Sequence, residues 1–280
     1  MRVADYGPSR RADLADLLGR VWGDRPDEAE LEWLYERNPV RPASVLLGEE
    51  DGRVVASVAI AFQRMAVGGR ELEVGTAVGL ATDPDHRGRG HFAALQAANE
   101  ERARALGVRL LLTVPTPASA RVLLGRLGWT ALPPLRIWLR PRLLRPRLRA
   151  RLVERFGEDA AARRAPGGGD RVLRDGAWLN WRFAEAPRPY ALLERDGYAV
   201  VGRRGRLGVL AAASGDLLLD AAAAARGPAL VAAPPPWERR RYARAGFLPT
   251  PRTLTLLGKA LDGGPLPRRP HLELGDLDFT

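Results

Sequence analysis

The sequence predicts a mixed α/β fold arranged in two lobes, and three observations carry this prediction. The chain has 280 residues, which suffices for two domains of roughly 150 residues each. Hydrophobic residues make up 46% of it, enough to fill real cores. Helical and strand patterns alternate along the first half, with antiparallel hairpin signals first and a β-α-β unit later.

The first lobe is predicted to begin with a strand at residues 1–6 and two helices. Ser9 is the expected N-cap of the first helix, which is amphipathic. The second helix is expected from residue 26 to about residue 37, where Asn38-Pro39 ends it.

Three strands follow, separated by turn signals. Asp51-Gly52 and Gly68-Gly69 are typical of hairpin turns, and Asp83-Pro84 ends the last of the three strands. The predicted strands span residues 44–47, 53–63 and 72–82.

A β-α-β unit completes the first lobe. The loop HRGRG at residues 86–90 opens into a helix that Gly107 ends, and Gly128-Trp129 closes a further short helix. The predicted elements are a helix at 92–106, a strand at 109–114, a helix at 118–127 and a strand at 135–139. The resulting order is β-α-α-β-β-β-α-β-α-β.

The chain is predicted to contain two domains joined by a linker. Residues 1–140 form the first domain, residues 141–176 a basic Pro- and Gly-rich linker, and residues 177–280 the second domain. The linker includes the run Ala-Pro-Gly-Gly-Gly at 165–169.

The second domain echoes the first. Trp181-Arg182-Phe183 resembles Trp33-Leu34-Tyr35, and Gly246-Phe247 resembles Gly128-Trp129. The second copy is about 30 residues shorter, and the stretch that it lacks includes the HRGRG loop. We interpret it as a degenerate repeat.

Composition excludes several classes of function. The chain has no cysteine, so disulfides, thiolate catalysis and cysteine-ligated metals are excluded, and no metal is expected. No apolar run approaches the roughly 20 residues of a membrane helix, and the start lacks a signal-peptide pattern. We expect a cytoplasmic protein, a monomer or homodimer, with no membrane partner.

The positive charge has two readings. The formal net charge is +11, and Lys259 is the only lysine. Arginine-rich usage is typical of GC-rich coding, whereas a basic surface also attracts anions. The densest basic stretch, residues 136–164, is interpreted as a solvated connector, so nucleic acid is not an expected partner.

The segment LATDPDHRGRGHFAAL, residues 80–95, carries the clearest chemical signal. A strand enters a Gly-rich loop and a helix begins at once, so backbone N–H groups converge at the positive end of a helix dipole. Gly88 and Gly90 allow close approach, and Arg87 and Arg89 add charge. The pattern predicts an anion cradle suited to a pyrophosphate, and it is neither a P-loop nor a dinucleotide fingerprint.

This segment and the later PTPASARVLLGRLGW resemble the GCN5-related N-acetyltransferases (GNAT). The family motif Q/R-x-x-G-x-G/A matches residues 87–90, but Phe92 occupies its last Gly/Ala position. The resemblance covers residues 1–140 and, more weakly, residues 177–260. It implies a GNAT-like acyl-CoA N-acyltransferase fold in two lobes.

The resemblance also implies direct transfer of an acetyl group from acetyl-CoA to an amine. The backbone of the fourth strand would pair with the pantetheine arm, the loop would hold the pyrophosphate, and the strand at 109–114 would splay away to admit the thioester. The Leu80 amide would polarise the thioester carbonyl. The implied cofactor-binding residues are Leu80, Ala81, Thr82, Arg87, Gly88, Arg89, Gly90, His91 and Phe92.

The proton-transferring side chains are less clear. Glu73 is the first candidate base and Glu71 the second, and a water-relayed base is the alternative. Leu124 stands where relatives often carry a tyrosine acid, and Thr116 where many carry asparagine. The second lobe has Tyr242 at the tyrosine position, which we interpret as an ordinary helix aromatic.

The acceptor stays open between a small-molecule amine and a peptide. A second hypothesis fits the missing tyrosine, namely a non-catalytic acyl-CoA-binding or regulatory module.

Overall fold

The computed structural model describes residues 1–143, 146–158, 169–268 and 270–277, and its contacts divide the chain into two units. Unit 1 comprises Met1–Met65, Glu71–Leu132 and Leu256–Leu266, and unit 2 comprises Ala66–Arg70, Pro133–Thr255 and Pro267–Thr280. No helix in the described part of the chain is long and apolar enough to cross a membrane.

The first half of the chain confirms the predicted order of elements. The strands are β1 (Arg2–Asp5), β2 (Ser44–Glu50), β3 (Arg53–Val67), β4 (Arg70–Thr82), β5 (Leu110–Thr113) and β6 (Thr130–Pro141). The helices are α1 (Arg11–Trp22), α2 (Glu28–Tyr35), α3 (His91–Ala105) and α4 (Pro117–Arg126).

Unit 1 is built on a mixed sheet in the order β1-β2-β3-β4-β5. Alternation along β2 explains its two layers, because successive side chains of a strand point to opposite faces. Val45 and Leu47 pack with Leu14 of α1 and Leu31 of α2, whereas Leu46 packs with Leu95 of α3.

Two predicted helix starts are wrong. Ser9 does not cap α1, because Pro8–Arg10 forms a 3-10 turn that places Ser9 inside it. Proline favours the first position of a turn of helix, so the turn begins before Ser9. The second helix starts at Glu28, where the Asp27 side chain accepts a hydrogen bond from the Glu30 amide at 2.7 Å.

Among the described residues, the second half of the chain contains further strands and three short helices. The strands are β7 (Arg151–Val153), β8 (Asp170–Val172), β9 (Ala191–Glu194), β10 (Tyr198–Arg204), β11 (Leu207–Ala213), β12 (Ala229–Ala232), β13 (Leu248–Ala260) and β14 (Pro270–His271). The helices are α5 (Gly176–Leu179), which continues as a π-helical turn at Asn180–Ala184, α6 (Leu218–Ala224) and α7 (Arg239–Arg244).

Within unit 2, the strands β6, β12, β11, β10, β9 and β7 are hydrogen-bonded neighbours in that order. β11 and β12 pair in parallel, while β12–β6, β10–β11, β10–β9 and β7–β9 are antiparallel. Tyr242 is buried in the core, with its ring edge-to-face on Phe247 at 5.2 Å. Burial raises the pKa of the Tyr242 hydroxyl well above its usual value, as fits a core aromatic.

The predicted linker at 141–176 is largely structured where the chain is described. It contains β7, which pairs with β9, and β8, which pairs with β14, and it buries Phe156. The described residues of the segment are thus partly packed into unit 2. Local composition does not reveal this, because the pairing strands β9 and β14 come from distant parts of the sequence. Residues 165–168 of the predicted glycine run lie outside the described residues.

The predicted domain boundaries also differ from the contact-defined units. Leu256–Leu266 belongs to unit 1, where Leu257–Ala260 of β13 pairs antiparallel with β5. The sequence of such a strand does not show which domain it joins, because its position depends on a pairing partner far away in the chain.

The single lysine closes a buried polar cluster in unit 1. Glu100 is 3% exposed. Its Oε2 accepts from Lys259 Nζ at 2.5 Å, and its Oε1 accepts from Trp129 Nε1 at 2.7 Å. Lys259 Nζ also donates to the Leu127 carbonyl at 2.6 Å. Gln96 Nε2 of the same helix also donates to Oε1, at 3.1 Å. The carboxylate thus links α3 to Trp129 and to Lys259.

We expect Glu100→Gln to lower the free energy of unfolding by about 2 kcal/mol, because it removes the charge-assisted acceptor that Lys259 and Trp129 share. Urea denaturation measures this. Glu101→Gln is the matched control, since Glu101 is 74% exposed and pairs with Arg104 at the surface, so it should leave the stability nearly unchanged. Equal effects of the two substitutions would contradict the cluster's role.

Candidate functional site

The candidate site lies where the pairing of β4 with β5 ends. The two strands pair in parallel from Val74 with Leu110 to Thr76 with Leu112, and Thr113 Oγ1 then donates to the Ala77 carbonyl at 2.9 Å. β5 ends at Thr113, whereas β4 continues to Thr82. The end of β4, which carries the predicted Leu80, Ala81 and Thr82, thus extends past its last pairing with β5.

Gly79 interrupts β4 immediately before Leu80. Its φ is +59°, a left-handed value that disfavours every residue with a side chain. A Cβ atom at Gly79 would lie 2.4 Å from the Tyr35 hydroxyl, and the Gly79 carbonyl accepts from Ser57 Oγ at 3.1 Å. The sequence analysis did not single out Gly79, although a glycine inside a strand pattern is a known signal of a bulge or a close approach.

The loop after β4 has the geometry of an anion cradle. A 3-10 turn at Pro84–His86 leads to Gly88 and Gly90, whose φ values are +79° and +82°. A Cβ atom at either glycine would meet nothing within 4 Å, so the space beside them is open. α3 begins at His91 with no side-chain cap, which leaves its first amides available to an anion.

The first residue of this loop, Asp83, has a buried carboxylate that pairs with α1. Asp83 is 4% exposed, and its Oδ2 accepts from Arg20 Nε of α1 at 2.7 Å. Burial alone would raise the pKa of Asp83, but the hydrogen bonds from Arg20 and from the Asp85 amide outweigh it and lower that pKa. The sequence analysis missed Arg20 because its partner lies 63 residues away.

A second carboxylate, Glu50 at the end of β2, lies close to side chains of the loop and of the first residue of α3. Its oxygens lie 3.2 Å from His91 Nε2, 3.2 Å from an Arg89 guanidinium nitrogen and 3.7 Å from His86 Nε2. Burial would raise the pKa of Glu50, yet His91, the N-terminal amine and Arg89 outweigh it and lower that pKa. The Arg89 and His91 side chains are thus engaged with Glu50, which fixes the shape of the loop.

Arg87 and Phe92 complete the predicted motif. Arg87 is exposed, and its Nε donates to the Thr82 carbonyl at 3.3 Å, which holds the guanidinium beside the end of β4. The Phe92 side chain packs against the apolar clusters under α3. The core therefore accommodates the phenylalanine that stands where the motif has Gly or Ala. In the predicted anion site, Phe92 would contribute only its backbone amide.

The structure does not bring Glu73 to the Leu80 end of β4. Glu73 Oε1 lies 2.9 Å from Arg41 Nε, and seven residues of strand separate it from Leu80, about 23 Å when extended. Glu71, the second candidate, pairs with Arg64 at the surface. The assignment of a base therefore stays a prediction.

Leu124 and Thr116 stand where the resemblance predicts tyrosine and asparagine. Leu124 on α4 is 43% exposed. Thr116 acts as the N-cap of α4, where its Oγ1 accepts from the Ser119 amide at 3.3 Å. In the described part of the chain, no group of three or more His, Asp or Glu residues could hold a metal ion.

In the basic stretch at 136–164, two arginine side chains donate hydrogen bonds to backbone carbonyls of unit 2. Arg140 Nε donates to the Ala245 carbonyl at 2.8 Å, and Arg142 donates to the Gly227 carbonyl at 2.9 Å. Arg151 and Arg155 pair with glutamates at the surface. Residues 159–164 lie outside the described residues.

The short parallel pairing of β4 with β5, the bend of β4 at Gly79 and the glycine loop before α3 follow one another in unit 1. The family model described as an acetyltransferase (GNAT) domain matches residues 3–132. The match covers the elements from β1 to the start of β6.

Solved structures share this fold over nearly the whole chain. A conserved protein of unknown function from Enterococcus faecalis V583, titled a probable N-acyltransferase, is 13% identical, with a TM-score of 0.68 over 93% of this chain and 73% of that one. A GCN5-related N-acetyltransferase from Kribbella flavida is 18% identical, with a TM-score of 0.66 over 93% and 71%.

A putative acetyltransferase from Pyrococcus horikoshii is 13% identical, with a TM-score of 0.65 over 99% of this chain and 94% of that one. At such identities the likeness concerns the fold alone. No curated protein matched the sequence.

Proposed function

We propose that the chain is an N-acyltransferase that moves an acetyl group directly from acetyl-CoA to the amine of a small molecule or a peptide. The observation that carries the proposal is the sequence of three features along unit 1: the interruption at Gly79, the extended end of β4 and the open glycine loop at the start of α3.

Each feature suits one part of acetyl-CoA. The open amides at the start of α3 and the exposed Arg87 suit the pyrophosphate. The end of β4, from Leu80 to Thr82, offers backbone groups to the amides of the pantetheine arm, as an added strand would use them. The Leu80 amide, turned by the bend at Gly79, is the candidate donor to the oxyanion.

The chemistry needs no covalent intermediate on the protein. The amine nitrogen attacks the thioester carbonyl, the C–S bond breaks as the C–N bond forms, and the leaving thiolate takes up a proton. The absence of cysteine from the sequence rules out an acyl-cysteine and so favours direct transfer.

Thiol release tests the proposal. The purified chain is mixed with acetyl-CoA and a panel of small amines and peptides, and free CoA thiol is measured with a thiol reagent, to which a cysteine-free protein contributes no background. Amine-dependent release with formation of the N-acetyl product is the expected result. Release that does not depend on any amine would count against transfer.

The second candidate function is a non-catalytic acyl-CoA-binding module. Leu124, where relatives often have tyrosine, favours it, because an aliphatic side chain cannot protonate the thiolate. The module predicts acetyl-CoA binding together with silence across the whole acceptor panel, which separates it from the enzyme.

We propose that water, rather than Glu73, relays the proton from the amine, since Glu73 pairs with Arg41 far along β4. Glu73→Gln should then change kcat by less than about fivefold, whereas loss of a direct general base costs 100-fold or more. Steady-state thiol release across pH 6–9 measures this, and Glu71→Gln is the matched control from the same strand. A 100-fold loss confined to Glu73→Gln would restore Glu73 as the base.

We also propose that unit 2 is a degenerate second copy of the fold. Its elements β9, β10, β11, α6, β12, α7 and β13 follow the order of β2, β3, β4, α3, β5, α4 and β6. The parallel pair β11–β12 matches β4–β5, and β11 has a register irregularity opposite Val200/Val201 where β4 bends at Gly79. The connection into α6 is short, residues 214–217, and contains no counterpart of the RGRG loop.

A further inference from the structure

The last described segment of the chain, residues 270–277, lies against β11 of unit 2. It forms β14 and a 3-10 turn at Leu274–Asp276. Leu272, Leu274 and Leu277 are all nearly fully buried, at 0%, 5% and 2% exposure. The segment is therefore part of the core of unit 2 and not a surface tail.

Hydrogen bonding shows which edge of β11 the segment contacts. The Ser214 amide donates to the Tyr198 carbonyl of β10 at 2.8 Å. Neighbouring amides of a strand point in opposite directions, so the Ala213 amide points away from β10, towards the side on which β12 lies. That amide donates to Glu273 Oε1 at 3.2 Å.

This contact falls beyond the pairing of β11 with β12. Their parallel register covers only Gly208 with Leu230 and Val209 with Val231. Farther along β11, Gly275 packs so tightly that a Cβ atom there would lie 2.8 Å from the Ala211 carbonyl oxygen and 2.7 Å from the Phe183 ring. The end of β11 is thus covered by the segment, at the place that corresponds to Leu80–Thr82 of β4.

Charged groups fix the segment in this position. Arg174 pairs with Glu273 at 2.6 Å and with Asp276 at 2.5 Å. Arg182 donates to the carbonyls of Gly275 and Leu277, each at 2.8 Å. Glu273 and Asp276 also form a reciprocal capping box, so the anchoring involves side chains and backbone alike.

We propose that residues 270–277 permanently occupy the cleft of the second lobe that acyl-CoA occupies in the first, so that the chain binds one acyl-CoA and not two. The inference rests on the proposed function, because it treats unit 2 as a copy of the acyl-CoA-binding fold. The Glu273 carboxylate takes the role at the β11 edge that a pantetheine carbonyl would take at β4.

Amide hydrogen exchange by NMR tests the occupancy without any ligand. In the wild-type chain we expect the Ala213 amide to be protected at least 100-fold. Gly275→Ala should speed its exchange tenfold or more, because the added methyl collides with Phe183 and with β11. Gly157→Ala is the matched control, since a Cβ there meets nothing within 4 Å. An unprotected Ala213 in the wild type, or no change in Gly275→Ala, would overturn the inference.

A second, more conservative variant distinguishes local release of the segment from unfolding of the whole of unit 2. Glu273→Gln weakens the acceptor of the Ala213 amide and the pairing with Arg174 while preserving size. We expect faster exchange at Ala213 with unchanged exchange at Val200 in β10. Equal acceleration at both residues would mean that the segment merely stabilises the unit, against the proposal.

Calorimetric titration with acetyl-CoA then separates this inference from the proposed function. One site per wild-type chain agrees with both, and two sites overturn the occupied cleft. Absence of binding overturns the proposed function, and the exchange measurement on Ala213 still decides whether the segment covers β11.

Discussion

Replacing Arg87 with Glu and Gly90 with Asp together is expected to weaken acetyl-CoA binding about a thousandfold. The substitutions place two carboxylates where the loop offers open amides and a guanidinium. At an effective dielectric constant near 20, two unit charges 4 Å apart repel by about 4 kcal/mol, and about 1.4 kcal/mol corresponds to a factor of ten in Kd. Isothermal titration calorimetry measures the change.

The fold should survive this double substitution. Arg87 is exposed, a Cβ at Gly90 meets no atom within 4 Å, and aspartate tolerates a positive φ better than most residues. Arg203→Glu with Gly205→Asp is the matched control. It makes the same change of charge at an exposed turn of unit 2, where Gly205 also has a positive φ and open surroundings. Wild-type affinity in Arg87→Glu/Gly90→Asp would refute the phosphate site.

The order of elements in the first half of the chain could be predicted because it depends on local signals. Hairpin turns such as Asp51-Gly52 and helix ends such as Gly107 act within a few residues, and both appear where the sequence placed them. The anion loop is local in the same sense. Its glycines and the start of α3 lie within five residues, so their geometry follows from the sequence of one short segment.

The partners that shape the site could not be predicted, because they come from distant segments. Arg20 reaches Asp83 across 63 residues, and Lys259 reaches Glu100 across 159. Glu50 meets three side chains of the loop only because β2 ends beside it. Such pairs depend on strand order and on helix packing, and a charge pattern along one sequence carries neither.

The prediction of Glu73 as the general base was limited in the same way, by missing information on strand pairing. Glu73 was chosen by its place on β4, and the position along the strand was read correctly. What the sequence lacks is the point at which the pairing of β4 with β5 ends, which the structure places at Thr76 and Leu112. Glu73 precedes that paired stretch, whereas the Leu80 end of β4, which we propose for the thioester, follows it.

Gly79→Ala is expected to have the largest effect on stability, lowering the free energy of unfolding by about 2–5 kcal/mol. A left-handed backbone costs a residue with a side chain about 1–2 kcal/mol, and forcing a methyl group into a packed site adds about 1–3 kcal/mol. The methyl would meet the hydroxyl of Tyr35, which is 2% exposed and has little room to move. Urea denaturation measures the total.

Two variants separate the contributions to this effect. Gly69 has a φ of +79° with nothing within 4 Å of an added Cβ, so Gly69→Ala should cost only the backbone part, about 1 kcal/mol. Adding Tyr35→Phe to Gly79→Ala removes the hydroxyl in the way and should recover more than about 1 kcal/mol, a positive coupling in a double-mutant cycle. If Gly79→Ala costs no more than Gly69→Ala, the close approach to Tyr35 has no energetic weight.

The same substitution connects the fold to the chemistry. We proposed the Leu80 amide, next to the bend at Gly79, as the oxyanion donor, and removing one such donor typically lowers kcat 100-fold or more. Folded Gly79→Ala protein, assayed below its unfolding midpoint, should therefore lose about 100-fold in kcat while its Kd for acetyl-CoA changes less than fivefold, because the pyrophosphate loop is intact. Normal turnover in Gly79→Ala would mean that the Leu80 amide is not the donor that polarises the thioester.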